Sequence, residues 1–332
     1  MIKKMERSCR LGRIERASML GTLEEDLQKI EAMEDSAEFQ AKLQALRKKM
    51  LGLRRVIIIP FIVYMFLYLL FIRGVGDFII SSILFILLPP GFLIVCRMMG
   101  MFSGRNKGLQ EVYGKELLEP LLRNFYPDLT VEKQGIAPEE VKKFTPKSQK
   151  YIQDSFLCFH DDRDLRMGNL ESFHRTSGKN PMYIFDFLGQ LYCMKSPVAI
   201  QGEIRIVPTD RSIIFKNEVQ IRYPGCRKGE KKLDTEDIEH NERFDIYTTD
   251  EFGARRFLTP EVLRVFSEKF AGKELSLYIK GDLLYIAIYS VQRMFKAPEN
   301  KEEIKSLSFT EEYKKLRSSL EYIEEICKAF EA

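Results

Sequence analysis

Two long apolar runs constrain this chain more than any other feature of its sequence. Residues 56–72 and 78–96 contain no charged residue and are seventeen and nineteen residues long. At about 1.5 Å of rise per residue, a helix of either length comes close to the roughly 30 Å hydrocarbon thickness of a bilayer. A helix in a soluble core would show polar residues at helical spacing, whereas these runs carry only two serines and two tyrosines. The pattern predicts two membrane-spanning helices.

Between the runs, Arg73 and Asp77 bracket a short glycine-containing segment. A charge at the centre of a bilayer costs several kcal/mol, so a single continuous helix through both runs is disfavoured. Gly74 and Gly76 allow the chain to reverse direction. Lysines and arginines cluster outside the runs, and only Arg73 lies between them, which places both flanks in the cytoplasm. The sequence therefore predicts a two-span transmembrane hairpin over residues 55–97, with the lipid bilayer as a partner and both termini cytoplasmic.

The composition disfavours several classes of function. A net charge of +4 over 332 residues is too small for a nucleic-acid-binding surface, so we expect no nucleic-acid partner. The six cysteines lack a CxxC pair and regular spacing, which is typical of reduced thiols. No nucleotide-binding loop or GxSxG motif occurs, and three histidines leave few routes to a catalytic triad. We expect no cofactor, no bound metal and no catalytic residue of a known type.

The stretch from Cys158 to Asp164 gathers a cysteine, a histidine and three aspartates. These are metal-ligating residue types. Adjacent residues on a strand or a helix diverge, however, and no second group of ligands lies at a matching spacing. The stretch is interpreted as a solvated loop.

Residues 1–54 are predicted to be an amphipathic helical region. Thr22 and Glu25 have the spacing of a capping box, and the apolar residues from Phe39 to Leu53 recur at spacings of four and three. Such a seam is typical of a coiled coil and equally of a helix that packs on its own chain. Packing within the chain, and association with a second copy or another protein partner, both stay open.

Residues 98–180 are predicted to be a juxtamembrane helical region, with one helix near residues 148–156. Residues 181–332 are predicted to be a cytosolic α+β domain with a mostly antiparallel sheet, because apolar residues alternate along several short segments. The Gly189–Gln190 break predicts strand, turn and strand over residues 182–195. Gly281 and Asp282 fit a two-residue type II′ turn. A helix from Thr310 to Phe330 closes the chain.

The stretch IEHNERFDIYTTDEFGARRFLTPEVLRVF, residues 238–266, resembles the signature of a bacterial family catalogued as domain of unknown function 3137. The matching positions are Phe244, Thr249, Asp250, Ala254, Arg255, Leu258, Thr259 and Pro260. A second block over residues 185–208, with Gly202 and Pro208, resembles the family's two-strand unit. Position 253 departs from the family pattern, with glycine in place of an acidic residue. The resemblance implies a layout of helices, membrane hairpin and cytosolic domain in the bacterial inner membrane, and it implies no activity.

The motif residues are interpreted as structural. Asp250 and Arg255 are predicted to form a bridge, Gly253 to allow a bend between them, and Thr259 to cap a helix that begins at Pro260. Transport is disfavoured because neither apolar run contains an ionisable residue. The resulting hypothesis is a membrane-tethered cytosolic interaction or scaffold module. The alternative is a membrane-bound enzyme with an unrecognised active site in the cytosolic domain.

Overall fold

The computed structural model describes residues 23–55, 110–209 and 223–331, apart from short gaps inside these ranges, and four isolated residues between 56 and 109. The chain divides into two compact units. Unit 1 comprises residues 1–121 and 297–317, and unit 2 comprises residues 122–296 and 318–332.

The helices and strands follow one another along the chain within these described ranges. The helices are α1 (Leu23–Glu34), α2 (Ala37–Arg55), α3 (Glu119–Leu122, preceded by a π-helical turn at Gly114–Leu118), α4 (Pro138–Phe144), α5 (Ile238–Arg243), α6 (Glu251–Phe257), α7 (Pro260–Arg264), α8 (Lys301–Lys305) and α9 (Phe309–Glu331). The strands are β1 (Thr130–Glu132), β2 (Lys150–Gln153), β3 (Phe156–Cys158), β4 (Arg166–Arg175), β5 (Tyr183–Lys195), β6 (Glu203–Pro208), β7 (Lys231–Leu233), β8 (Phe244–Thr248), β9 (Leu275–Lys280) and β10 (Leu283–Tyr289).

The predicted membrane hairpin has no support in this structure. No helix in the described part of the chain combines the length and the apolar character needed to cross a bilayer. The two predicted spans lie outside the described residues, except for Ile62, Met65, Phe66 and Leu69. The predictions of a membrane hairpin, of transmembrane helices and of a two-span inner-membrane location with cytoplasmic termini are therefore wrong. The physical reason is that a long apolar segment needs burial away from water. This need does not by itself show that the segment forms a helix that spans a membrane.

Unit 1 is built around the apolar seam of α2. Leu43, Leu46 and Met50 are all buried. Helix α2 packs against α1 and α8, and the Phe39 ring centroid lies 4.2 Å from that of Phe309. The coiled-coil prediction is wrong, because the seam is covered by helices of the same chain. Self-association through these helices stays a prediction.

Carboxylates of α1 fasten the start of α9 within unit 1. The Glu34 carboxylate accepts hydrogen bonds from the Phe309 backbone N–H (2.6 Å) and from the Thr310 hydroxyl (2.9 Å). The Asp26 carboxylate accepts from the Tyr313 hydroxyl at 2.6 Å. Negative charge beside the N-terminus of a helix satisfies its unpaired N–H groups and complements its dipole.

Unit 2 contains a ten-stranded sheet in which every strand pair is antiparallel. The strand order is β1-β3-β4-β5-β10-β9-β6-β8-β7, and β2 pairs with β4. The β9–β10 hairpin turns at Gly281, whose φ of 61° fits the predicted type II′ turn. Residues 130–175, assigned from sequence to a helical region, supply β1 to β4, so the helix expected at residues 148–156 is wrong.

One row of side chains crosses the sheet on a single face, since directly opposed residues in antiparallel strands point to the same side. The row is Cys158, Arg166, Cys193, Tyr285, Tyr278, Arg205 and Tyr247. Helix α4 packs against β6 and β9 on this face, where Phe144 stacks on Tyr278 with ring centroids 5.9 Å apart. The row therefore places the fully buried Arg205 directly beside Tyr278 of the apolar core.

Candidate functional site

The family motif begins at a buried aromatic anchor. Phe244 is the first residue of β8, and its ring lies 5.0 Å from that of His240 and 5.5 Å from that of Phe266. The next motif residues join the end of β8 to the start of β6. The Thr249 hydroxyl accepts a hydrogen bond from the Glu203 backbone N–H at 2.8 Å.

Asp250 is the N-cap of α6. Its Oδ1 accepts a hydrogen bond from the Gly253 backbone N–H at 2.9 Å. A Cβ on Gly253 would lie 2.3 Å from Asp250 Oδ2, and a Cβ on Gly202 would lie 2.5 Å from Thr249 Oγ1. Gly253 lies inside α6, so the predicted bend is wrong. Both glycines instead allow close approach of the motif side chains.

The predicted bridge between Asp250 and Arg255 is wrong. Arg255 pairs with Glu251, with Nη2 and Oε1 3.2 Å apart, and both side chains are about half exposed. The reason is helical geometry, since residues four apart lie on the same face of a helix and residues five apart do not. Arg255 is thereby left at the surface of α6.

The second half of the motif builds the next helix. Ala254 is fully buried in α6. The Thr259 hydroxyl accepts a hydrogen bond from the Val262 backbone N–H at 3.3 Å, and Pro260 is the first residue of α7. The predicted cap of α7 is confirmed. Asp250 and Thr259 thus start two consecutive short helices.

These helices form one wall of a cleft of about 630 Å³, named here the motif cleft. Its described lining residues are Leu233, Asp234, Thr235, Glu236, Arg255, Leu258, Pro260, Leu263 and Arg264. Four of them are apolar, two are arginines and two are carboxylates. The volume lies within the range of ligand pockets, and the lining mixes apolar surface with both signs of charge.

The opposite rim of the motif cleft is held by Asn241 of α5. Its Oδ1 accepts from the Thr235 N–H (2.8 Å) and hydroxyl (2.9 Å), and its Nδ2 donates to the Thr235 carbonyl (2.7 Å). Three bonds from one side chain fix the loop that carries Asp234 and Glu236. The rim is therefore preorganised.

A second cleft of unit 2, of about 620 Å³, has a different character and is named here the basic cleft. Its described lining residues are Lys142, Lys147, Ser148, Tyr151, Pro224, Gly225, Cys226 and Arg227. Three are cations and none is a carboxylate. Sequence reasoning missed this cleft, because its two sides are about 80 residues apart in the chain. The sequence signal that could have indicated the cleft is Arg205, a charged residue inside the alternating strand EIRIVP.

The other candidate groups do not converge into a site. The stretch from Cys158 to Asp164 connects β3 to β4, and Asp161 Oδ1 accepts from the Leu165 N–H at 3.1 Å within that loop. His174 Nδ1 lies 2.5 Å from Asp186 Oδ1. Within the described ranges, no three histidine, cysteine or carboxylate side chains come together to hold a metal.

The two cysteines of the cross-sheet row are poor nucleophiles. Burial, the largest cause in each case, raises the pKa of the Cys158 thiol to about 12 and that of the Cys193 thiol to about 11. A thiol of that pKa is protonated at neutral pH, and the thiolate is the reactive form. Neither Cys158 nor Cys193 is therefore a reactive thiolate at neutral pH.

The family resemblance inferred from the sequence is confirmed. Residues 185–331 match the family model described as "Protein of unknown function (DUF3137)". This range contains Gly202, Pro208 and the whole stretch from Phe244 to Pro260. The match defines this part of the chain as similar to a domain family without an assigned activity.

Comparison with curated proteins found no match. Among solved structures, the chain is similar to the crystal structure of the mycobacterial trehalose monomycolate transport factor A, TtfA. The two share 6% sequence identity at a TM-score of 0.34, over 67% of this chain and 93% of that one. A likeness at this level carries no argument about function.

Proposed function

We propose that the protein is a binding module whose motif cleft holds a short polypeptide segment of a protein partner. The observation that carries the proposal is the mixed lining of the cleft, with an apolar wall from α7 beside Arg255 and two carboxylates on the opposite rim. A simple anion or an apolar small molecule would use only part of this surface. A peptide offers an apolar side chain together with both charged and hydrogen-bonding groups.

Arg255 supports the proposal because its release from its present ion pair, which frees it to bind a partner, requires little free energy. Its ion pair with Glu251 is an exposed pair at i and i+4, and such pairs contribute about 0.3–0.5 kcal/mol. A carboxylate of a partner can therefore replace Glu251 as the ion-pair partner of Arg255 with little loss of folding free energy. Arg256, the next residue, is exposed and lies outside the described lining, so it serves as a matched control.

The lining residues favour binding over catalysis. The described lining of the motif cleft offers no histidine, cysteine, lysine or tyrosine for nucleophilic or acid–base work. The Thr235 hydroxyl is engaged with Asn241. The two carboxylates of the described lining, Asp234 and Glu236, are the remaining groups that an enzyme could use.

Site-specific photo-crosslinking tests the proposal. A photoreactive residue replaces Glu236 in the full-length protein in its own cells, and the adducts are identified by mass spectrometry. We expect one discrete protein adduct that is lost when Arg255→Gln is added and kept when Arg256→Gln is added. A photoreactive residue at Lys228, outside the described lining of both clefts, is the positional control. The same adducts from both positions, or an adduct insensitive to Arg255→Gln, would overturn the proposal.

A further inference from the structure

The wall of the basic cleft formed by residues 223–230 is fixed by one buried side chain. Arg205 donates from Nη1 to the Pro224 carbonyl (2.5 Å) and from Nη2 to the Gly225 carbonyl (2.8 Å). It also donates from Nη2 (2.7 Å) and Nε (3.2 Å) to the two oxygens of Glu230. Its guanidinium carbon lies 4.5 Å from the centre of the Tyr247 ring. These bonds tie both ends of the loop to Arg205 of β6.

Arg227 is held at the cleft with its cation only partly compensated. Its backbone N–H donates to the Glu230 carboxylate at 2.8 Å, which places the residue. Its guanidinium donates to the backbone carbonyl of Lys142 at 3.3 Å, not to a carboxylate. Burial, followed by the nearby charge of Arg205, lowers the pKa of Arg227 from its ordinary value. The lowered pKa means that this environment destabilises the charged guanidinium, and an anion beside Arg227 would stabilise it.

The two lysines of the cleft add charge that is weakly held or unpaired. Lys142 pairs with Glu139 at 2.8 Å, but both side chains are exposed, so a ligand can compete for Lys142. Lys147 forms no ion pair with any described residue of the chain. The Tyr151 hydroxyl, which donates to the Pro146 carbonyl at 2.8 Å, completes a polar lining.

We propose that the basic cleft binds the phosphate group of a small phosphorylated ligand. In this arrangement Arg227 contacts two phosphate oxygens. Lys142 and Lys147 lie on either side of the phosphate and act as point charges. Phosphate suits the cleft better than a carboxylate for two reasons. A phosphate monoester carries a charge of about −1.5 to −2 at neutral pH, against −1 for a carboxylate, and three cations face it. The planar guanidinium also matches a pair of phosphate oxygens.

Isothermal titration calorimetry on the full-length protein at constant ionic strength tests the proposal. The probes are inorganic phosphate and pyrophosphate, with acetate as the singly charged control. We expect both phosphates to bind and acetate to bind at least about tenfold more weakly. Arg227→Gln and Lys147→Gln should each weaken pyrophosphate binding about tenfold, the size expected for one charge-assisted hydrogen bond. Lys228→Gln, on the same loop but outside the described lining, should leave the affinity unchanged.

Three results would overturn the proposal. The first is an absence of heat from both phosphates at millimolar concentration. The second is an equal loss of affinity from Lys228→Gln, which would indicate a general surface charge. The third is unchanged affinity in Lys147→Gln, whose side chain has no described partner and whose loss should leave the fold intact. Arg255→Gln should keep phosphate binding, so this proposal and that for the motif cleft fail independently.

Discussion

Replacing Glu230 by glutamine tests the buried ion pair that shapes the basic cleft. The side chains of Arg205 and Glu230 are 0% and 4% exposed. Removing one partner of a buried pair leaves the other charge uncompensated and costs about 3–5 kcal/mol. Glutamine keeps one acceptor oxygen for Arg205, so the lower end of this range is expected. The two carbonyl bonds of Arg205 remain.

A surface ion pair on the same sheet provides the matched control. Lys232 Nζ lies 2.7 Å from Asp245 Oδ1, and these side chains are 52% and 21% exposed. Solvent screens such a pair, and its loss through Lys232→Gln should cost about 0–1 kcal/mol. The two substitutions therefore remove ion pairs of equal length and different burial.

Urea unfolding followed by circular dichroism separates the two cases. With a slope of about 1–3 kcal/mol per molar urea, a loss of about 3 kcal/mol lowers the midpoint by about 1–3 M. Hydrogen exchange of residues 223–230 should accelerate in Glu230→Gln and stay unchanged in Lys232→Gln. The reasoning is refuted if the Glu230→Gln midpoint coincides with that of Lys232→Gln.

Three further predictions concern the cap of α6, the apolar seam of α2 and the response of Glu230 to acid. Asp250→Ala removes the cap of α6 and should cost about 0.5–2 kcal/mol in thermal unfolding, whereas Asp250→Asn keeps an acceptor and should cost less; equal losses would contradict the capping role. Leu43→Asp puts a charge into the buried seam of unit 1 and should expose residues 23–55 to limited proteolysis, while an unchanged digestion pattern would mean that the seam is not buried. Burial raises the pKa of Glu230, but the hydrogen bonds and charge of Arg205 outweigh it and lower the pKa below its ordinary value. The stability from this group is therefore present above the unfolded pKa of about 4.3 and lost as pH falls through the lowered folded value. Acid should reduce the free energy of unfolding more steeply in the wild type than in Glu230→Gln, and parallel slopes would contradict this account.

Local contacts were predictable from the sequence, and distant ones were not. The cap of Thr259 on α7 spans three residues, and the turn at Gly281 needs only two, so both could be predicted from residue types alone. The link between Arg205 and Glu230 spans 25 residues and joins a strand to an irregular loop. No periodicity reports such a pair, and the basic cleft that depends on it was missed.

The glycine at position 189 shows why strand prediction failed locally. Sequence reasoning assigned a turn there, but β5 runs without interruption from Tyr183 to Lys195. A Cβ at Gly189 would lie 2.1 Å from the carbonyl oxygen of Ile288 on β10. The glycine therefore serves a close approach between strands about 100 residues apart, which local sequence cannot distinguish from a turn. The apolar runs posed the same difficulty, since hydropathy does not determine the structure a segment adopts.

The affinity of the crosslinked partner segment for four forms of the protein tests the central claim most directly. A synthetic peptide covering the segment is titrated against the wild type, Arg255→Gln, Arg255→Lys and Arg256→Gln. If the motif cleft binds the partner, Arg255→Gln weakens binding about tenfold or more, Arg255→Lys recovers part of the loss, and Arg256→Gln matches the wild type. Equal affinity in all four proteins, or an equal loss in Arg255→Gln and Arg256→Gln, would contradict the assignment of the motif cleft as the binding site.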